Sequence, residues 1–199
     1  LTMNSPARHN SLSSGLIHEA IQALRRLETT GARVLVLRAY PGAPVWSSGH
    51  DVNELPRGGR DPLGYEDPLE RLLRAVQDSP LPVLALEEGT VWGGACDLCM
   101  ACDMVICGED STFAMTPARL GVPYNPSGLV RFLKNLGPHR AKELFFTARP
   151  FPAAEAHSIR MVNHVVPRDQ VEAFTMDVAR SIARNAPLAV QVLKAQFRA

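Results

Sequence analysis

Val91-Trp92-Gly93-Gly94-Ala95-Cys96-Asp97 is the stretch on which the fold turns. Two adjacent glycines follow an apolar run, Val83 to Leu86, and open a helix-like run. A turn of that kind leaves backbone N–H groups bare at a helix N-terminus. Such groups stabilise negative charge, on a bound anion or on an oxygen that becomes charged during a reaction. A second glycine turn, Ser47-Ser48-Gly49-His50-Asp51, follows another strand-like run, Val34-Leu35-Val36-Leu37. Two such turns can aim two N–H donors at one oxygen.

Outward from these turns, strands and helices alternate. Leu1 to Pro6 reads as the end of a strand entering a turn. Ser13 or Ser14 caps a helix through about Leu27, with Leu16, Ile17, Ala20, Ile21, Leu24 and Leu27 at helical spacing. Short apolar strands are expected at Arg33–Arg38, Pro82–Leu86, Met104–Cys107 and Thr112–Ala114, and an extended piece at Asn163–Val166. Pro41 to Ser48 reads as a loop. Asn53 to Asp67, polar and rich in glycine and proline, reads as a mobile surface segment. Helices are expected at Pro68–Gln77, Gly94–Ala101, Ser127–Leu136, Arg140–Thr147, Ala153–Ser158, Asp169–Asn185 and Pro187–Phe197, with an irregular stretch from Thr116 to Pro126. The alternation predicts an α/β protein with a largely parallel sheet. No internal repeat is visible in the sequence.

The chain has 199 residues, enough for one domain. Residues 1–168 are expected to form the core and residues 169–199 to begin a C-terminal helical region. An apolar fraction of 46% supplies a core, and a net charge of +1 points to neither nucleic acid nor a membrane as partner. No apolar run is long enough to span a bilayer. The chain starts at Leu1 and stops inside a helical pattern, so both ends are expected to be incomplete. Cys96, Cys99, Cys102 and Cys107 superficially suggest an iron–sulfur run, but the first three share a helical stripe with Ala95, Leu98 and Ala101 and read as buried free thiols. That usage fits a reducing, cytoplasmic setting. His9, His18, His139, His157 and His164 have no metal-ligand spacing, and no metal or organic cofactor is expected. There is no G-x-G-x-x-G, no phosphate loop ending in Gly-Lys and no G-x-S-x-G. His50 reads as a general base or as a loop histidine facing water.

The order of the parts is more specific than any part. An Asn4-Ser5-Pro6-Ala7-Arg8-His9-Asn10-Ser11-Leu12 turn precedes Ser47-Ser48-Gly49-His50-Asp51. Glu88-Gly89-Thr90-Val91-Trp92-Gly93-Gly94-Ala95 and Ser111-Thr112-Phe113-Ala114-Met115-Thr116-Pro117 follow, then Leu120-Gly121-Val122-Pro123-Tyr124-Asn125. In this order the chain resembles the crotonase (enoyl-CoA hydratase/isomerase) superfamily over essentially its whole length. The resemblance implies a superhelix of ββα units with a helical C-terminal part. It also implies an acyl-CoA substrate whose thioester oxygen is held by the backbone N–H groups of His50 and Gly94. Ser48, Gly49, Asp51 and Val52 would contact the substrate, and Trp92 would wall the pocket or fill the core. Arg8 reads as a CoA-phosphate contact or as a surface arginine. Relatives are trimers or dimers of trimers, so a homotrimer or hexamer is expected. The C-terminal lysine that often binds CoA phosphates in relatives cannot be assigned in this sequence.

Hydratases of that superfamily carry two glutamates at the acyl group. Here Asp97 occupies the first place and Pro117 the second, and proline carries no proton. Asp97 itself reads either as a reacting group or as a carboxylate favoured in a helix first turn. Water addition needs both acid and base within reach. Decarboxylation needs no strong base, only a held enolate and a weakly polar seat for the carboxylate. The string Thr116-Pro117 to Tyr124-Asn125, with Glu54 to Leu63, Tyr65 to Leu69, Lys142 to Ala148 and Asn163 to Val166, resembles the decarboxylating branch of the superfamily. That branch implies conversion of methylmalonyl-CoA to propionyl-CoA. Tyr124 would orient the carboxylate and Thr116 would contact the substrate. The alternatives are an enoyl-CoA hydratase or isomerase, or a degenerate acyl-CoA-binding subunit.

Overall fold

A computed structural model describes residues 1–55 and 64–198. Its strands are β1 (Thr2–Met3), β2 (Leu35–Ala39), β3 (Val45–Ser47), β4 (Val83–Glu87), β5 (Thr90–Trp92), β6 (Met104–Gly108), β7 (Thr112–Ala114), β8 (Phe151–Pro152) and β9 (His164–Val166). Its helices are α1 (Ser14–Glu28), α2 (Pro68–Asp78), α3 (Gly94–Ala101), α4 (Pro126–Leu136), α5 (Pro138–Thr147), α6 (Ala153–Ser158), α7 (Val171–Ala183) and α8 (Pro187–Arg198). Among the described residues, one sheet has the order β1-β2-β4-β6-β9, parallel throughout. A second has the order β3-β5-β7-β8, parallel except for the antiparallel pair β7–β8.

The chain visits the two sheets in turn. Strand β2 of the first is followed by β3 of the second, then by α2. The same order recurs as β4, β5, α3 and as β6, β7, α4. The fold is therefore α/β and built of ββα units, although the sequence carries no repeat. The crossing from β4 to β5 passes through Gly89, whose φ is +79°, and a Cβ there would lie 2.3 Å from the Pro44 carbonyl oxygen. The indole Nε1 of Trp46 donates to the Leu86 carbonyl at 2.7 Å and ties the two sheets together.

Strand β4 is buried along its whole length and feeds both sides of its sheet. Val83 and Ala85 belong to the main core with Leu69, Leu72, Leu73 and Leu98. Leu84 and Leu86 point the other way, to a smaller core with Ile106, Val171 and Ala179 beneath α7. The period-two alternation of a strand makes this division necessary. Helix α2 starts on an Asp67 side chain that accepts from the Leu69 N–H at 2.8 Å. Its Leu69, Leu72, Leu73 and Val76 face inward. Helix α8 is tied back by Lys194, whose Nζ reaches the carbonyls of Val76 and Leu81 and the Asp103 carboxylate at 3.2, 2.9 and 2.7 Å. This C-terminal lysine is therefore built into the core.

Several expectations change. The segment read as a loop, Pro41 to Ser48, contains β3, and β5 and β8 were not anticipated. Each has only two or three residues, and its extended form depends on pairing with a distant neighbour. Helix α7 begins later than Asp169, after a 3₁₀ turn at Arg168–Gln170. Within Asn53–Asp67, residues 56–63 lie outside the described residues, as does most of the Glu54–Leu63 match. Cys96, Cys99 and Cys107 are buried, Cys102 is partly buried, and all four are free thiols. Among the described residues, no helix is long and apolar enough to cross a membrane.

Candidate active site

The two glycine turns meet. Gly49 has φ +84°, and a Cβ on it would lie 2.3 Å from the Trp92 carbonyl oxygen and 2.8 Å from the Gly94 nitrogen. A Cβ on Gly94 would lie 3.2 Å from the His50 nitrogen and 2.7 Å from Leu69 Cδ2. Glycine permits this approach because it has no side chain and accepts positive φ. Gly93, with φ +55°, donates to the Ala114 carbonyl at 2.8 Å, which pins the second turn to β7. The first turn is pinned from the N-terminal segment. Leu12 N–H donates to the Gly49 carbonyl at 2.8 Å, Ser48 N–H to the His9 carbonyl at 3.0 Å, and Asn10 Nδ2 to the Trp46 carbonyl at 3.0 Å. Asn10 is fully buried.

The backbone N–H groups of His50 and Gly94 have no acceptor among the described residues. Both residues line a small pocket of about 60 Å³ together with Ser48, Leu69, Thr116 and Tyr124. Val52, Pro117 and Leu120 close its sides. An open cleft of about 570 Å³, lined by Arg8, Ser11, Asp51 and Glu54, shares Ser48, His50 and Val52 with it. The expected residues Ser48, His50, Val52, Gly94, Thr116 and Tyr124 thus converge on the inner pocket, whereas Asp51 and Arg8 lie at the outer cleft. Gly49 is the buried pivot between the turns. Trp92 does not line the pocket. The residue is 37% exposed, and it is the Trp92 carbonyl that meets the Gly49 turn.

The His50 imidazole is not a loop group facing water. It is 12% exposed, with Nδ1 3.1 Å from the Asp51 carbonyl oxygen and Nε2 3.4 Å from Asp67 Oδ2. Burial works against its charged form, but the hydrogen bond and charge of Asp67, with smaller help from Asp51 and Glu54, raise its pKa above the usual histidine value. Both ring nitrogens are occupied, so the residue offers the pocket its main chain.

Asp97 is fully buried and bound to Arg131, Nε to Oδ1 at 2.7 Å and Nη2 to Oδ2 at 2.9 Å. Arg131 Nη2 also reaches Glu70 Oε1 at 2.6 Å. Glu70 in turn accepts from Asn125 Nδ2 at 2.8 Å and Ser127 Oγ at 3.0 Å. The Tyr124 hydroxyl donates to Asp97 Oδ2 at 2.8 Å, and its ring meets Phe145 edge-on at 5.1 Å. Thr116 differs. It precedes the Pro117–Leu120 turn without capping it, and its hydroxyl has no hydrogen-bond partner among the described residues. Asp67, Glu70, Arg131 and Asn10 were not singled out from the sequence. Glu70 and Arg131 sit within amphipathic helices and are 61 positions apart, so no local pattern could have joined them.

Gly128 closes this network. A Cβ there would lie 2.3 Å from Tyr124 Cε1 and 2.9 Å from Asp97 Oδ2. Gly128→Ala is expected to lower stability by about 1–3 kcal/mol, the usual cost of overpacking a filled site. Urea unfolding checks this, and a variant as stable as wild type would show that Tyr124 can move freely.

Paired backbone donors in ββα units define the site, and the chain belongs to the enoyl-CoA hydratase/isomerase family, whose family model matches residues 1–199. Within that family it is similar to the methylmalonyl-CoA decarboxylase of Escherichia coli K12, with 43% identity over all of this chain and 76% of the relative. A solved structure of methylmalonyl-CoA decarboxylase complexed with 2S-carboxypropyl CoA superimposes with a TM-score of 0.96 at 43% identity, over 99% of this chain and 76% of that one. The 2,3-dehydroadipyl-CoA hydratase of the same organism is 27% identical over 100% of this chain and 77% of its own.

Proposed function

We propose that the protein decarboxylates a short branched malonyl-type CoA thioester, converting methylmalonyl-CoA to propionyl-CoA. The observation that carries this reading is the chemistry of the inner pocket. Among the described residues, two N–H donors without an acceptor face it and none of the lining side chains carries a carboxylate. Asp97 is held inside an ion pair, and Pro117 stands at the other place where a hydratase needs an acid. The similarity to methylmalonyl-CoA decarboxylase points the same way.

In the proposed reaction the thioester oxygen accepts from His50 N–H and Gly94 N–H. The bond to the carboxylate breaks, CO2 leaves, and its electron pair moves into the thioester as an enolate. A proton then adds to the α-carbon to give propionyl-CoA. The enolate oxygen is more charged than the ground-state carbonyl, so the two donors favour the transition state over the substrate. Thr116 and Tyr124 orient the departing carboxylate without a cation to neutralise it, which would stabilise the starting state. The size of the inner pocket favours a short acyl group, and the outer cleft, with Arg8 at its edge, suits the CoA chain. The chemistry needs no metal or organic cofactor. The same reading includes a homotrimer or hexamer in a reducing cytoplasm, in keeping with four free thiols.

Purified protein is expected to release CO2 from methylmalonyl-CoA faster than from malonyl- or ethylmalonyl-CoA and to hydrate crotonyl-CoA at background rate. Hydration of crotonyl-CoA with no CO2 from any of the three would overturn the reading.

A further inference from the structure

Tyr124, Asp97, Arg131 and Glu70 form a line of polar groups running from the pocket wall into the interior. Asp97 receives two hydrogen bonds from one guanidinium, one on each oxygen. A carboxylate bridged in this way is an acceptor only. The contact between Tyr124 and Asp97 is therefore made with the phenol proton, and a phenol has just one. Burial first, and then the Asp97 charge, push the Tyr124 pKa well above the ordinary phenol value, so the proton remains on the oxygen. Arg131 cannot turn away, because Glu70 holds it from the far side and is itself held by Asn125 and Ser127.

We propose that Arg131 is a positioning residue: by pinning Asp97 it commits the Tyr124 proton to Asp97, so that a bound acyl carboxylate meets the phenol's lone pairs and not its proton. This rests on the decarboxylase reading above and specifies how Tyr124 acts in it. The Thr116 hydroxyl, like that of Ser48, then lines the pocket with its proton uncommitted among the described residues. Loss of CO2 removes the negative charge from that wall. A lone-pair neighbour therefore raises the starting state more than the transition state, and the rate gains.

Tyr124→Phe separates the two possible roles of the phenol. If Tyr124 donated to the carboxylate, its loss would weaken binding of 2S-carboxypropyl-CoA about tenfold, the value of a charge-assisted hydrogen bond. The inference expects equal or tighter binding with a lower kcat. Replacing the buried ionic group as a whole, Asp97→Leu and Arg131→Met with Glu70→Gln so that no buried carboxylate is left without its cation, should release the phenol proton toward the pocket. Such exchanges are commonly tolerated. That variant is expected to bind 2S-carboxypropyl-CoA about tenfold more tightly and to turn over about tenfold more slowly. Adding Tyr124→Phe should cancel both changes, which a merely structural role of Arg131 would not produce. Weaker analogue binding by Tyr124→Phe alone would overturn the inference, and so would an effect of the triple replacement that persists without the Tyr124 hydroxyl. The binding arms need no turnover. Absence of CO2 release by wild type would therefore count against the decarboxylase reading and leave the proton's direction to be decided by the binding results.

Discussion

Gly49→Ala is expected to lower kcat by about 10²–10³-fold, the cost of losing one preorganised donor at a developing oxyanion. Two effects act together. Gly49 has φ +84°, which costs an alanine about 1–2 kcal/mol. The new methyl would also stand 2.3 Å from the Trp92 carbonyl oxygen and 2.8 Å from the Gly94 nitrogen, both backbone atoms that cannot rotate aside. The turns must separate, and His50 N–H and Gly94 N–H can no longer meet one oxygen. Gly31→Ala serves as the control. Its φ is +76°, but nothing lies within 4 Å of the added methyl, so it meets the strain without the displacement. Steady-state kinetics with methylmalonyl-CoA, alongside urea unfolding of both variants, checks this. A folded Gly49→Ala enzyme within a few-fold of wild-type kcat would mean that the two turns do not act as a pair.

Glu87 is expected to make the protein markedly less stable in alkali. Its carboxyl is fully buried at the end of β4, where Oε1 accepts a hydrogen bond from the Cys99 thiol and Oε2 has no partner among the described residues. Burial pushes its pKa up to about 8 from 4.5, and the Cys99 hydrogen bond offsets only part of the rise. The folded state thus holds this proton more tightly than the unfolded chain. The corresponding stabilisation is complete below pH 4.5 and is lost as the pH rises through 8. At about 1.4 kcal/mol per pH unit the loss across that window is on the order of 4–5 kcal/mol. His50, with its raised pKa, adds a smaller loss of the same sign. Glu87→Gln keeps the shape and removes the titration. Unfolding free energies at pH 5, 7 and 9 should converge at the acid end and favour the variant increasingly toward pH 9. Parallel curves for wild type and Glu87→Gln would show that the carboxyl reaches water or another partner.

The parts legible in the sequence were those with a local cause. Helix α3 begins and ends where the glycine pair and the helical stripe place it, and α2 follows its leucine spacing. The two glycine turns stood out because a tight turn with positive φ calls for glycine within the turn itself. Strands β3, β5 and β8 did not stand out, since two or three residues show no alternation and become strands only when a neighbour supplies hydrogen bonds. Asp97 shows the same limit at the site. Its helix-start position is visible in sequence, but its partner Arg131 lies 34 residues on and its partner Tyr124 lies 27.

By itself, then, the sequence determined the alternation of strands and helices, the two glycine turns and, through the order of its motifs, the family. Only the tertiary structure decided that the His50 ring is occupied, that Trp92 stands outside the pocket, and that Asp97 is an ion-pair partner. The division has one physical cause. Backbone turns and helix faces are set by residues a few positions apart, whereas the state of a buried charge is set by whichever group the fold brings within 3 Å of it.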